Sequence, residues 1–133
     1  MDKSIINIKK LVNNYTIETT PAVYQKIGSL KNLLAPDTCV YITYLPNEDK
    51  KNIINTAKKI KDEGLEPIPH LPARTIENFN VLERYLGNLS EISGVNKILI
   101  IGGSGIRKGN ISSSIEILKT NLTNKYNYVQ IGL

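Results

Sequence analysis

Short β-branched runs alternate with amphipathic helical stretches along this 133-residue chain, and that beat narrows the fold more than any other feature. Thr16–Thr20 reads as a strand, and Pro21 suits the first position of a helix with Val23, Ile27, Leu30 and Leu34 on its apolar face. Ala35-Pro36-Asp37 ends that helix, and Cys39–Leu45 is a second strand closed by Pro46-Asn47. The next helix runs from Glu48 to Glu63, with Ile53, Ile54, Ala57 and Ile60 inward and Gly64 as its stop. Glu66–His70 is a third strand. Prolines 67, 69 and 72 keep it from being a helix interior, because each fixes φ and lacks an N–H. Thr75 is a candidate cap for a helix carrying Ile76, Phe79, Leu82, Leu86 and Leu89, ended by Gly94. Lys97–Ile101 is an apolar strand that runs into Gly102-Gly103-Ser104-Gly105. Ser113-Ser114-Ile115-Glu116 forms a capping box for a fourth helix through Leu118 and Leu122, and Tyr128–Ile131 is a fifth strand. Ahead of all this, residues 3–13 place Ile5, Ile8, Leu11 and Val12 at helical spacing, a short amphipathic lead-in.

Strict alternation with short loops predicts an α/β fold of parallel β/α units joined by right-handed crossovers. Two architectures satisfy it: part of a (β/α)₈ barrel, or an open doubly wound sheet. In both, ligands collect at the carboxyl ends of the strands. The polar residues of this chain gather at four successive such ends: Glu18-Thr19-Thr20-Pro21, Thr43-Tyr44, His70 and Gly102–Gly105.

Length fits a single domain over residues 1–133, and 41% hydrophobic with 22% charged residues is ordinary for a globular protein. Cys39 is the sole cysteine, which excludes an internal disulfide and a cysteine-based zinc site and suits a reducing cytoplasm. No apolar run approaches the roughly 20 residues of a membrane span, and the first ten residues lack a signal-peptide core. The net charge of +5 is dispersed, with Lys50, Lys51, Lys58, Lys59 and Lys61 interleaved with Asp49, Asp62 and Glu63. With no Trp and one Phe, stacking platforms for nucleic acid are missing, so neither nucleic acid nor membrane is an expected partner.

Glu18 interrupts a run of small and apolar residues; it is either a surface carboxylate or a general acid poised by partial burial. Gly103 and Gly105 begin a G-x-G-x-x-G pattern that fails at Lys108, since Gly109 comes one residue late. Arg107 and Lys108 beside these glycines suit an anionic ligand. His70 is a proton shuttle, a hydrogen-bond partner for a ligand, or a structural residue. No second histidine or tight carboxylate cluster accompanies it, so no metal site is expected.

Taken together the strand ends resemble the methylenetetrahydrofolate reductase family. Glu18-Thr19-Thr20-Pro21 is similar to its Glu-x-x-Pro first strand, Ile42-Thr43-Tyr44 to its Val/Ile-Thr-Tyr element, and Pro69-His70-Leu71 to its Pro-His-Leu third strand. Gly102-Gly103-Ser104 falls at its Arg-Gly-Asp-like turn, and order and spacing agree over residues 16–131. The resemblance implies a TIM barrel binding FAD at its carboxyl face, passing hydride from NAD(P)H through flavin to a folate substrate, 5,10-methylenetetrahydrofolate. Glu18 matches the general acid that protonates the folate amine. Thr43 and His70 match flavin-contacting positions, and Gly102, Gly103 and Ser104 match the turn against the isoalloxazine. Ser104 stands where the family has aspartate, and a hydroxyl hydrogen-bonds without supplying a fixed charge.

A whole barrel typically takes about 250 residues, so the resemblance covers strands one to five, the first half. Such a half exposes two parallel edges and an inner face. The expected partner is a second copy, as a homo-oligomer, or a chain carrying the second half. The alternative to an enzyme is a non-catalytic half-barrel that holds flavin or folate.

Overall fold

The computed structural model describes residues 3–133, apart from the side chains of residues 9–11. Its helices are α1 (Lys3–Val12), α2 (Pro21–Ile27), α3 (Lys50–Asp62), α4 (Phe79–Ser93), α5 (Ser114–Leu118) and α6 (Leu122–Lys125). Its strands are β1 (Ile17–Thr19), β2 (Cys39–Ile42), β3 (Glu66–Pro72), β4 (Lys97–Ile101) and β5 (Gln130–Gly132). All strand pairs are parallel, and the sheet runs β1-β2-β3-β4-β5 without reversal, open at both edges. This is an α/β fold of consecutive β/α units, and its strand order is that of successive units in a (β/α)₈ barrel. No helix among the described residues is long and apolar enough to cross a membrane.

Crossovers of one hand in unbroken order lay their helices on one face of the sheet, and the core records this. Val40, Ile42, Leu71, Ile98 and Ile100 are buried in one cluster with Ile53, Ala57 and Ile60 of α3 and Leu82, Leu86 and Leu89 of α4. The alternate strand residues Cys39, Tyr41, Thr43, His70, Lys97, Leu99 and Ile101 point the other way and are only partly buried.

Within β3 the prolines have a directional effect. The N–H of Glu66 donates to the Thr38 carbonyl at 3.0 Å, so even-numbered amides of this strand face β2 and odd-numbered ones face β4. Pro67 and Pro69 therefore withhold their donors from β4. Pairing with β2 begins at Cys39↔Glu66, whereas pairing with β4 begins only at His70↔Leu99.

Several elements end differently from the sequence pattern. Residues 23–34 do not form one helix: α2 stops at Gly28, whose φ of 85° is a glycine conformation. Pro21 and Tyr24 are its buried residues; the Tyr24 hydroxyl donates to Glu63 Oε1 at 2.6 Å, while Glu63 Oε2 accepts from the Leu30 N–H at 2.8 Å. That anchor turns Val23 and Ile27 outward, to 45% and 47% exposure. Thr75 does not cap α4; its hydroxyl donates to the Pro72 carbonyl within a 3₁₀ turn over Ala73–Thr75. The cap is Asn78, whose side chain accepts from the Val81 N–H at 3.0 Å, and Phe79 becomes an exposed first-turn residue.

Ser113 caps α5 by accepting from the Glu116 N–H, but the Glu116 carboxylate reaches the Ser112 N–H instead of closing the box on Ser113; the helix breaks after Leu118, and Asn121 at φ 60° starts α6. Tyr128 lies ahead of β5 with its hydroxyl donating to the Leu86 carbonyl. On α1, Ile5, Ile8 and Val12 are exposed, and the side chain of Leu11, expected beside them, is outside the described residues.

Replacing the observed cap, Asn78→Ala, should cost about 1 kcal/mol in urea unfolding. The core truncation Leu86→Ala should cost roughly 2–5 kcal/mol in the same measurement.

Candidate functional site

Parallel register aligns the face opposite the helices. Glu18 pairs with Tyr41, Tyr41 with Ile68, and one row further along His70 pairs with Leu99. Side chains two apart on a strand share a face, so Tyr41 and Thr43 of the second strand meet Glu18 from one side and His70 from the other. The N–H of Thr43 donates to the Thr19 carbonyl at 2.9 Å, which holds the end of the second strand against the first.

Glu18, Thr43 and His70 come together there. The Thr43 hydroxyl donates to Glu18 Oε1, and the same oxygen lies 4.0 Å from His70 Nε2. The His70 ring meets Tyr41 edge-on, with centroids 6.0 Å apart and planes at 63°. Thr16, Ile17, Glu18, Tyr41, His70 and Leu99 line an open cleft of about 390 Å³. The His70 side chain is 13% exposed, and burial holds its pKa below the usual histidine value while the charge of Glu18 works in the opposite direction. A neutral imidazole offers one donor and one acceptor. Glu18 is not partly buried as a poised acid would be: at the free edge of β1 its side chain is 59% exposed.

Gly102, Gly103 and Ser104 occupy the neighbouring strand end rather than this cleft. Gly103 and Ser104 line a smaller hollow of about 60 Å³ with Tyr44, Pro72, Thr75 and Ile101. Gly103 has φ 86°, and a Cβ there would come within 3.0 Å of Pro72 Cβ. Gly102 is different. Its φ is not positive, and a Cβ would meet nothing within 4 Å, so neither backbone nor packing calls for glycine. Tyr44 belongs to the opposite side of the sheet, edge-on to Tyr85 at 6.3 Å. Its hydroxyl pKa is pushed up to about 12, first by burial and then by the charge of Glu77.

Tyr41 and Leu99 were not singled out by motif, although the period-2 pattern from Thr43 and from His70's neighbour strand places both on the cleft side. With them the cleft has Tyr41 and Leu99 as walls and His70 as a hydrogen-bonding side chain between them. No protein-family model matches the chain.

His70 is the only histidine, so its NMR titration is unambiguous. Its midpoint should fall below 6.5 and should drop further in Glu18→Gln, which removes the opposing charge. Because the folded-state value lies below the unfolded one, this group supports folding above pH 6.5, and that support is lost as pH falls through the folded value. Stability measured against pH should lose this component in His70→Asn.

Proposed function

We propose that the chain forms half of a methylenetetrahydrofolate reductase-like oxidoreductase, acting on a folate substrate with FAD and NAD(P)H. The observation that carries this reading is the convergence of Glu18, Thr43 and His70 from three successive strand ends around one carboxylate oxygen. The unreversed parallel order of the strands supports it, since it is the winding of a barrel with its ligands at the carboxyl face. When bound, flavin supplies the two-electron relay that accepts hydride from the nicotinamide and hands it to the folate.

The residues of this chain then divide the remaining work. Thr43 engages Glu18 Oε1 and fixes the carboxyl orientation, which leaves Oε2 to carry a proton. Glu18 gives that proton to the folate amine, the carbon–nitrogen bond opens to an iminium, and the hydride reduces the iminium to the methyl group. His70, held neutral, hydrogen-bonds the ring at its edge, and Gly102 lets the ring approach the backbone. Ser104 offers the substrate a hydroxyl in place of a carboxylate.

Further strands, from a second copy or a second half, would lie along β1 and take Glu18 out of water. The high exposure of Glu18 within these five strands favours a second reading, a half-barrel that binds flavin or folate without turnover.

Protein purified with FAD should absorb in the flavin bands and bleach on adding NADH or NADPH; a colourless protein that ignores FAD overturns the flavin assignment. Glu18→Gln should abolish folate reduction and leave flavin reduction by nicotinamide intact, whereas equal loss of both half-reactions makes Glu18 structural. Intact flavin binding with no folate turnover in the wild type selects the second reading. Gly102→Val should weaken flavin binding about tenfold or more by filling the ring's approach. Light scattering should give a mass above that of one chain, and a lone monomer that still turns over folate would overturn the requirement for further strands.

A further inference from the structure

The loops that leave β3 and β4 are fastened into one surface. The Arg74 N–H donates to the Gly102 carbonyl at 3.1 Å, and the Lys108 N–H donates to the Arg74 carbonyl at 2.8 Å. Gly109 lies flush on the neighbouring loop, where a Cβ would fall 1.8 Å from the Glu77 carbonyl oxygen, so only glycine fits. The Arg107 guanidinium closes the far end by donating to the carbonyls of Gly109 and Asn110.

Between these fastenings a run of backbone donors is left open. Among the described residues, the N–H groups of Gly103, Ser104, Gly105, Ile106 and Arg107 donate to no protein oxygen. Gly103 at φ 86° and Gly105 at φ 107° flank Ser104, whose φ is not positive. Alternation of φ sign is a feature of main-chain nests, whose successive N–H groups bind anions.

The charges around this run are unequal. Glu77 is the acid at this lip, and Lys50 meets it at 3.1 Å. Arg107 is spent on carbonyls. Arg74 is exposed with no side-chain partner among the described residues, and exposed Lys108 shares Glu77 with Lys50, so the one acid leaves two positive charges in excess at this lip. Their backbones are hydrogen-bonded to each other, and the Arg74 Cβ lies 3.9 Å from where a Cβ on Gly103 would stand.

We propose that Arg74, Lys108 and the amides of residues 103–107 form a binding site for a phosphate or diphosphate group. A doubly charged phosphoryl group matches two surplus positive charges, and its oxygens match several backbone donors. The site lies at the carboxyl ends of β3 and β4, one strand along from the cleft at His70. It goes beyond the flavin reading: it holds for any phosphorylated ligand, free or nucleotide.

The test is amide and imidazole NMR on the intact protein, titrated separately with inorganic diphosphate, ADP, adenosine and riboflavin. Diphosphate and ADP should shift the amides of 103–107 saturably and more weakly at high salt, and adenosine should not. Arg74→Gln and Lys108→Gln, both at exposed positions, should each weaken binding about tenfold with unchanged melting temperature. Binding by diphosphate but not ADP assigns a free-anion site, and binding by ADP assigns a nucleotide one. Shifts elsewhere, or affinity unchanged in both variants, overturn the proposal. Riboflavin carries no phosphate, so its effect on His70 reports the ring site alone. ADP binding without a riboflavin response would sink the flavin reading and leave this site standing; the reverse would sink this site and leave the flavin reading.

Discussion

Everything that gives this chain a site follows from the handedness of its crossovers. A parallel pair cannot be joined by a tight turn, so each connection carries a helix over the sheet, and one hand in unbroken order sends each to the same side. One face then receives the whole apolar load: Val40, Ile42, Leu71, Ile98 and Ile100 pack beneath α3 and α4. The other face is freed from packing duty. That is why a carboxylate, a threonine, an imidazole and a tyrosine can stand side by side at its upper rows without costing the core anything.

The β/α alternation, the parallel sheet and the strand-end grouping were legible because each rests on patterns two to four residues long. The helical pattern turns Ile53, Ile54, Ala57 and Ile60 inward and all four are buried, since α3 is long enough for its stripe to outweigh other influences. What escaped reading depended on partners distant in sequence. Val23 and Ile27 form a plausible stripe, but Glu63, at the far end of another helix, pulls Tyr24 inward instead. Thr75 looks like a cap until the Pro72 carbonyl claims its hydroxyl and shifts the helix start to Asn78.

At the site the same division holds. Glu18, Thr43 and His70 could be named from strand-end motifs, yet their meeting at one oxygen depends on register across three strands. The exposure of Glu18 is a property of sheet order, because only its place in the edge strand β1 leaves it uncovered. Motif spacing also treated Gly102–Ser104 as one unit. Packing separates it into Gly103, pressed on Pro72, and Gly102, facing open space.

The withheld donors of Pro67 and Pro69 make β3 a fastener of unequal grip. It is laced to β2 from Glu66 to Pro69, but to β4 only from His70 to Pro72. The sheet thus has a built-in seam at its amino-terminal end, between the first three strands and the last two. Backbone strain from solvent, heat or a passing load would part that seam first, and the parting would stop where the lacing begins. The residue at which it stops is His70, so the rim that carries the polar residues is the last part of the joint to yield.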